Sequence, residues 1–271
     1  MRLLIIGDIV GRPGKHACSQ IVPRLVGERD IDCVIANAEN AAAGSGLTPA
    51  MFSKLRHYGI DVCTMGDHVY RRREVLPLLT SSDRIVRPAN LPPEATGGEL
   101  SVVAARNGGR VAVFTLLGRT FMNVRADCPF HAADRLLSKL DSDVKTIVVD
   151  MHAETTSEKV AMGWYLDGRV SAVVGTHTHV QTADERVLPR GTAYITDIGM
   201  TGPYDSVLGR DRDAVVKSLV TGVPHPYTVA SDDTRLCGVI VEVDDQTGQA
   251  RWIERVNVPD PQPVPPGEGE E

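Results

Sequence analysis

His177-Thr178-His179 closes a short apolar run, Ala172–Gly175, and is the sharpest chemical feature of the chain. In extended backbone, residues i and i+2 project to the same side, so both rings can face one site. Imidazole is the commonest protein ligand for transition metals. Four other apolar runs end in comparable groups. Leu3–Ile6 ends at Gly7-Asp8, Cys33–Ala36 at Asn37-Ala38-Glu39-Asn40, Val62–Met65 at Gly66-Asp67-His68, and Thr146–Asp150 at Met151-His152. Each has a bland reading. Asp8 suits a helix cap, Glu39-Asn40 a solvated turn, Asp67-His68 a bonded loop pair, and His152 a structural histidine. Only as a set do these groups point to metal.

Asp8, Glu39 and Asp67, with His152, His177, His179 and the amide of Asn40, suffice for two cations sharing one carboxylate. The protein then supplies three or four ligands per ion and leaves positions for water and substrate. The mixed nitrogen and oxygen set suits manganese, iron or zinc better than calcium. Two such ions acidify a water and clamp both oxygens of an in-line displacement at phosphorus. Rival chemistries lack support: no Ser-His-Asp or Cys-His arrangement stands out, Cys18 lies in a helical pattern, and Gly44-Ser45-Gly46 lacks the phosphate-binding lysine. Arg71-Arg72-Arg73 and Asp211-Arg212-Asp213 read as solvated faces, with Arg71 within reach of a phosphate beside the site.

The elements that must position these groups alternate in kind. A helical stretch from about Pro13 to Val26 follows the first run. Thr48-Pro49 gives an N-cap and a Pro at the first helical position, opening a helix to about Tyr58. A further helix is expected from Arg72 to Leu79. This βαβαβα order argues for a parallel sheet with right-handed crossovers, in which ligands bind beyond the carboxyl ends of strands. Leu100–Ala105 and Arg110–Leu116 flank Asn107-Gly108-Gly109, a hairpin signal. A helix Ser157–Leu166 precedes Ala172–Gly175. Leu236–Val243 and Ala250–Val256 flank Asp244–Gly248, a second hairpin. The reading is an α/β fold with two mixed sheets packed face to face and helices outside.

The 271 residues fit a single domain, expected over 1–258, with a Pro/Glu-rich disordered tail over 259–271. A net charge of −6 argues against a broad duplex nucleic-acid footprint. Five cysteines without a close pair suit a reducing compartment. The apolar run in Met1–Asp8 is too short for a signal-peptide core, and no segment approaches a membrane span, so the cytoplasm is the expected location.

The chain resembles the YmdB-type bacterial calcineurin-like metallophosphoesterases. The resemblance lies in Ile6–Gly14, Ala36–Ala42, Thr64–His68, Arg87-Pro-Ala-Asn90, Gly175–His179 and Thr196-Asp-Ile-Gly-Met-Thr-Gly-Pro-Tyr204, and covers residue 1 to about 256. It implies a four-layer α/β/β/α sandwich and phosphodiesterase activity, with 2′,3′-cyclic nucleotides the favoured substrates. It also implies two divalent or mixed-valence transition-metal ions, and allows a self-associating surface. One ion would take Asp8, Asn40 and His179, the other Asp67, His152 and His177, with Glu39 bridging. His68 would donate a proton to the leaving alkoxide or bond the phosphate. Two alternatives stay open: a phosphomonoesterase on a small phosphorylated metabolite, and a low-turnover regulatory protein binding metal and nucleotide. The chain departs from the family at Asp67, where Gly-Asn-His is usual. Its third carboxylate brings two dications from about +4 to about +1, instead of about +2 with Asn.

Overall fold

Side-chain alternation along single strands builds the interior, because successive residues of a strand point to opposite faces. A computed structural model describes residues 1–262. In chain order its elements are β1 (Arg2–Ile6), β2 (Asp8–Ile9), α1 (Gly11–Glu28), β3 (Cys33–Asn37), α2 (Pro49–His57), β4 (Val62–Thr64), α3 (Val75–Ser81) and β5 (Ile85–Val86). Then come β6 (Ser101–Ala104), β7 (Arg110–Leu117), α4 (Pro129–Leu137), β8 (Thr146–His152), α5 (Thr156–Leu166), β9 (Ala172–Thr176) and β10 (Arg186–Val187). The chain closes with β11 (Ala193–Ile195), β12 (Met200–Pro203), α6 (Arg212–Thr221), β13 (Thr234–Val243) and β14 (Ala250–Pro259).

Leu4 and Ile6 of β1 join Val34 and Ala36 of β3 in a core with Ile21 and Val22 of α1 and Leu55 of α2. Their neighbours Leu3, Ile5, Cys33 and Ile35 face the other way and meet Val111, Val113, Val148 and Val174. Phe114, Val149 and Val173 leave the far side of that second sheet for Ala133 of α4 and Met162 of α5. Four layers result, helices–sheet–sheet–helices, as the resemblance implies. Each large aliphatic side chain so buried stabilises by ~1.5–3 kcal/mol, which explains why the central strands are mostly apolar on both faces, with Asp150 of β8 an exception.

An eight-stranded sheet has the order β2-β12-β13-β1-β3-β4-β5 with β14 on β13, and a six-stranded sheet the order β10-β11-β9-β8-β7-β6. β1, β3, β4 and β5 are mutually parallel, as are β7, β8, β9 and β11. Both expected hairpins form, β6–β7 and β13–β14. The sheets are stitched where β5 ends. Pro88 bridges Thr115, while the Asn90 side chain accepts from Leu117 N and donates to the carbonyls of Leu117 and Asp127. Arg87-Pro-Ala-Asn90 thus acts as a joint between the sheets.

Several boundaries differ from the sequence reading. α1 starts at Gly11, which takes a positive φ of 56°, and runs on to Glu28. The helix expected from Arg72 begins at Val75 and ends at Ser81, because the chain bends at Arg71 and Arg72 and turns at Arg73 and Glu74. Helices α4 and α6 and the short strands β2, β5 and β10–β12 were not anticipated. Asp211 is the N-cap of α6, its carboxylate accepting from Ala214 N at 2.9 Å, and not part of a merely solvated face. Pro259 pairs with Arg235 and Asp260 lies 2.6 Å from His16 Nδ1, so order extends past the expected boundary at 258. The rest of that tail, 263–271, lies outside the described residues. Among the described residues no disulfide forms, and no helix is long and apolar enough to cross a membrane.

The strand ends are packed backbone to backbone. A methyl on Gly7 would sit 1.9 Å from the carbonyl oxygen of Gly199, whereas one on Gly27, near the end of α1, meets nothing within 4 Å. Gly7→Ala should therefore destabilise by ~1–3 kcal/mol or more through overpacking. Gly27→Ala should be neutral or stabilise by ~0.4–1 kcal/mol. Urea unfolding of the two variants reads both signs, and equal midpoints would contradict the close approach.

Candidate metal centre

Strands end where their last residues no longer have partners on both sides, and here both parallel sets end at one edge. Asp8 opens β2, Glu39 and Asn40 follow β3, Asp67 and His68 follow β4, His152 closes β8, and His177 and His179 follow β9. Glu39 stands in the middle, its Oε1 3.2 Å from His152 Nε2 and 3.4 Å from Asn40 Nδ2. On one side Asp67 Oδ1 and His177 Nδ1 each lie 3.1 Å from His152 Nε2, and 3.5 Å from each other. On the other, Asn40 Nδ2 lies 3.4 Å from Asp8 Oδ1 and 3.3 Å from His179 Nε2, and those two atoms are 3.6 Å apart.

These separations decide whether the groups fit cations. Bonds of ~2.1 Å place neighbouring ligand atoms ~3.0–3.4 Å apart around a tetrahedral or octahedral ion. The observed spacing is of that order. One ligand atom from each of Glu39, Asp67, His152 and His177 lies within 4.8 Å of the others. Each histidine also has its remote ring nitrogen on an acceptor, the usual arrangement for a ligating imidazole. His152 Nδ1 lies 2.8 Å from Thr176 Oγ1, His177 Nε2 3.1 Å from Glu154 Oε2, and His179 Nδ1 3.2 Å from the Leu208 carbonyl. In the neutral rings this leaves the lone pairs on the inward nitrogens.

All seven expected ligand side chains therefore meet, and His68 stands beside them with Nδ1 2.7 Å from Asn40 Oδ1 and Nε2 3.7 Å from Asp67 Oδ2. The expected reason for the histidine pair was wrong. His177 and His179 do not sit in extended backbone: their φ values are 90° and 64°. They turn to opposite sides of Glu39, one toward Asp67 and the other toward Asp8.

Sequence reasoning missed the shell behind them. Asp150 Oδ1 accepts from Thr176 Oγ1 at 2.6 Å, and its Oδ2 from Thr64 Oγ1 at 2.6 Å and Asn37 Nδ2 at 3.1 Å. Within a run of apolar strand residues, these read as core. Nor was the cavity wall foreseen. An open cavity of about 180 Å³ is lined by Glu39, Asn40, His68, His177 and His179 together with Val10, Gly44, Leu208 and Arg210. Arg210, donating to the carbonyls of Ala43 and Gly44, holds the place at the cavity that was expected of Arg71, which does not line it.

Known proteins share this frame. The profile of a family described as YmdB-like protein matches residues 4–256. A 2′,3′-cyclic-nucleotide 2′-phosphodiesterase of Bacillus subtilis (strain 168) is 48% identical over 260 residues, covering 96% of this chain and 98% of that protein. Among solved structures, a hypothetical protein from Thermus thermophilus superposes with a TM-score of 0.90 at 39% identity, over 96% of this chain and 100% of its own. A phosphatase from Mycoplasma pneumoniae superposes at 0.89 with 32% identity, over 96% and 95%.

Electrostatics couple the set. Burial alone would push Asp8 up, yet its hydrogen bond to His179 and the charges of His179 and His152 hold it below the usual carboxylate range. Asp67 is likewise depressed against its burial, chiefly by His152. Burial would lower His152, but Glu39 and Asp67 hold it well above 6.5, while burial and the neighbouring His152 keep His177 low. A depressed carboxylate contributes stability above its unfolded value of 3.8, and a raised histidine contributes below 6.5. The metal-free chain should thus be most stable between those values, losing the His152 contribution as pH rises through its raised pKa. A bound cation replaces that proton, so manganese binding should release protons and weaken as pH falls. Denaturation of the chelator-treated and manganese-loaded chain at about pH 5.5 and about pH 9 compares the two. Identical pH trends would contradict the coupling.

Proposed function

The chain is a member of the YmdB-like protein family, and from that premise we propose that it is a metal-dependent phosphodiesterase acting on 2′,3′-cyclic nucleotides. It is a hydrolase of the phosphatase and phosphodiesterase group. The observation that carries the reading is Glu39, set between Asp8, Asn40 and His179 on one side and Asp67, His152 and His177 on the other, at the floor of an open cavity. Each side would hold one cation, with Glu39 reaching both. The nitrogen and oxygen mixture favours iron or manganese, with zinc also suited. Bound there, such ions acidify a water and neutralise charge developing on the phosphoryl oxygens.

The chain's own residues complete the chemistry. An asparagine amide fits the same outline with its oxygen and nitrogen exchanged. Offering its oxygen between Asp8 and His179 turns the Asn40 NH₂ toward His68 Nδ1, which then accepts. The ring proton is left on Nε2, and His68, at the cavity wall, can pass it to the departing alkoxide. Val10 and Leu208 give the cavity apolar walls, and the Arg210 guanidinium adds planar donors suited to a phosphate or a base edge. A cytoplasmic setting belongs to the same reading.

Ligand removal withdraws several kcal/mol of charge stabilisation, on the order of a 10³-fold rate loss. Asp8→Ala and His177→Ala, loaded with manganese, should lose hydrolysis of bis-p-nitrophenyl phosphate and of 2′,3′-cyclic AMP to that extent. A metal-loaded chain that binds nucleotide but leaves the diester intact would favour the regulatory alternative. Hydrolysis of phosphomonoesters alone would favour the other.

Asp67 sets the rate within this scheme. A carboxylate where the family has an amide makes the site less positive, so its water is less acidic and an anionic diester less attracted. Asp67→Asn should raise turnover and move the acidic, rising limb of the pH profile, set by deprotonation of that water, toward lower pH. No gain and no movement would remove the charge argument.

A further inference from the structure

Lys159 of α5 is buried beyond reach of solvent, as is Asp197, and their ion pair closes at 2.8 Å. Two charges taken out of water are expensive, and an apolar pair of the same volume is often as stable. The pair is therefore weak evidence for a stability role, and its position suggests another one. Asp197 Oδ2 accepts from Thr178 N at 3.2 Å and Thr178 Oγ1 at 2.5 Å. Lys159 Nζ donates to the same hydroxyl at 2.8 Å. The other carboxylate oxygen takes Gly199 N at 2.7 Å. Thr178 is thus gripped on its amide and its hydroxyl, and it is the residue between His177 and His179.

Both flanking histidines occupy the left-handed region that side chains with a Cβ rarely adopt. Such backbone persists only where its surroundings over-determine it. Main-chain bonds complete the clamp, from Ile198 N to Gly175 O at 2.9 Å and from Met200 N to His179 O at 3.1 Å. There is no slack beneath it: a methyl on Gly175 would meet the Thr196 carbonyl oxygen at 1.7 Å and Lys159 Cδ at 2.7 Å. Thr196–Tyr204 carries no ligand of its own, and this contact gives it a role.

We propose that Lys159 and Asp197 are positioning residues which, through Thr178, hold His177 and His179 in the strained turn that sends one imidazole to each side of Glu39. The inference rests on the metal reading above and adds a device outside the ligand set. Losing such support weakens metal binding by ~10–100-fold. A role in stability alone would lower the unfolding midpoint and leave the affinity of the folded chain intact.

The test is manganese titration of the chelator-treated full chain by calorimetry, alongside its thermal unfolding. Thr178→Val, which keeps the ion pair but removes the hydroxyl, should bind at least one manganese about tenfold more weakly at pH 7.5 and still unfold cooperatively. Thr178→Ser, which restores the hydroxyl, should recover the affinity. Lys159→Met should weaken binding further, and Thr178→Val carries the test if that variant does not fold. Wild-type affinity in Thr178→Val overturns the inference alone. A wild-type chain that binds no manganese removes the metal reading and this inference together.

Discussion

Carboxylates stay ionised in a protein interior only against a cation or a dense set of donors. This chain sets Asp8 and Glu39, both sealed from solvent, beside the less buried Asp67, and imidazoles face all three. A proton on His152 balances part of the charge in the metal-free chain, and a cation can take that place. A proton and a cation would compete for one spot, and most of the arrangement around the site fits keeping that spot open. Inward nitrogens must stay unbonded to carbonyls, so the outward ones are tied to Thr176, Glu154 and Leu208.

The site is inseparable from the packing between the sheets. Val148, Asp150 and His152 share one face of β8, while Val149 and Met151 point to the helices. A slip of one residue would exchange every member of those sets. The apolar start of that face, anchored between the sheets, fixes the register that carries Asp150 and His152 to the ligand end. The same holds on β3, where Cys33 and Ile35 face the sheet interface and Asn37, next on that face, reaches Asp150 and leads into Glu39. Hydrophobic burial thus sets the ligand geometry to within a residue, and hydrogen bonds from Thr64, Asn37 and Thr176 refine it.

Much of this was legible because strands with uncharged runs announce themselves and their ends are where polar groups accumulate. The layers, both hairpins and the gathering of Asp8, Glu39, Asn40, Asp67, His152, His177 and His179 follow from that pattern. What escaped has two physical causes. Asp150, Lys159 and Asp197 are charged residues buried among apolar ones, and sequence alone cannot tell a buried pair from a surface pair when the partners lie far apart in the chain, as 159 and 197 do. His177 and His179 reach the site through left-handed backbone, which no periodicity predicts for histidine. Alternation gave a correct neighbourhood for a wrong reason. Helices α4 and α6 were missed although Pro129 and Asp211 are ordinary start signals; both are short, and α6 shows little apolar period.

Strand ends and buried bonds hold the ligands, but the rest of the cavity wall is irregular chain. Gly44, Leu208 and Gly209 all have positive φ, and Arg210 is held by loop carbonyls. Loops of this kind can change with little effect on the sheets beneath them. The cavity walls can therefore vary more readily than the frame beneath them. Asp67 lies between these regimes. Asn and Asp have nearly the same shape, and its neighbours His152 and His177 are already fixed by Thr176 and Glu154. Exchanging one for the other changes the charge the site presents without moving a ligand. Asp67→Asn would thus act on electrostatics, where a single substitution can retune a catalyst and leave its architecture intact.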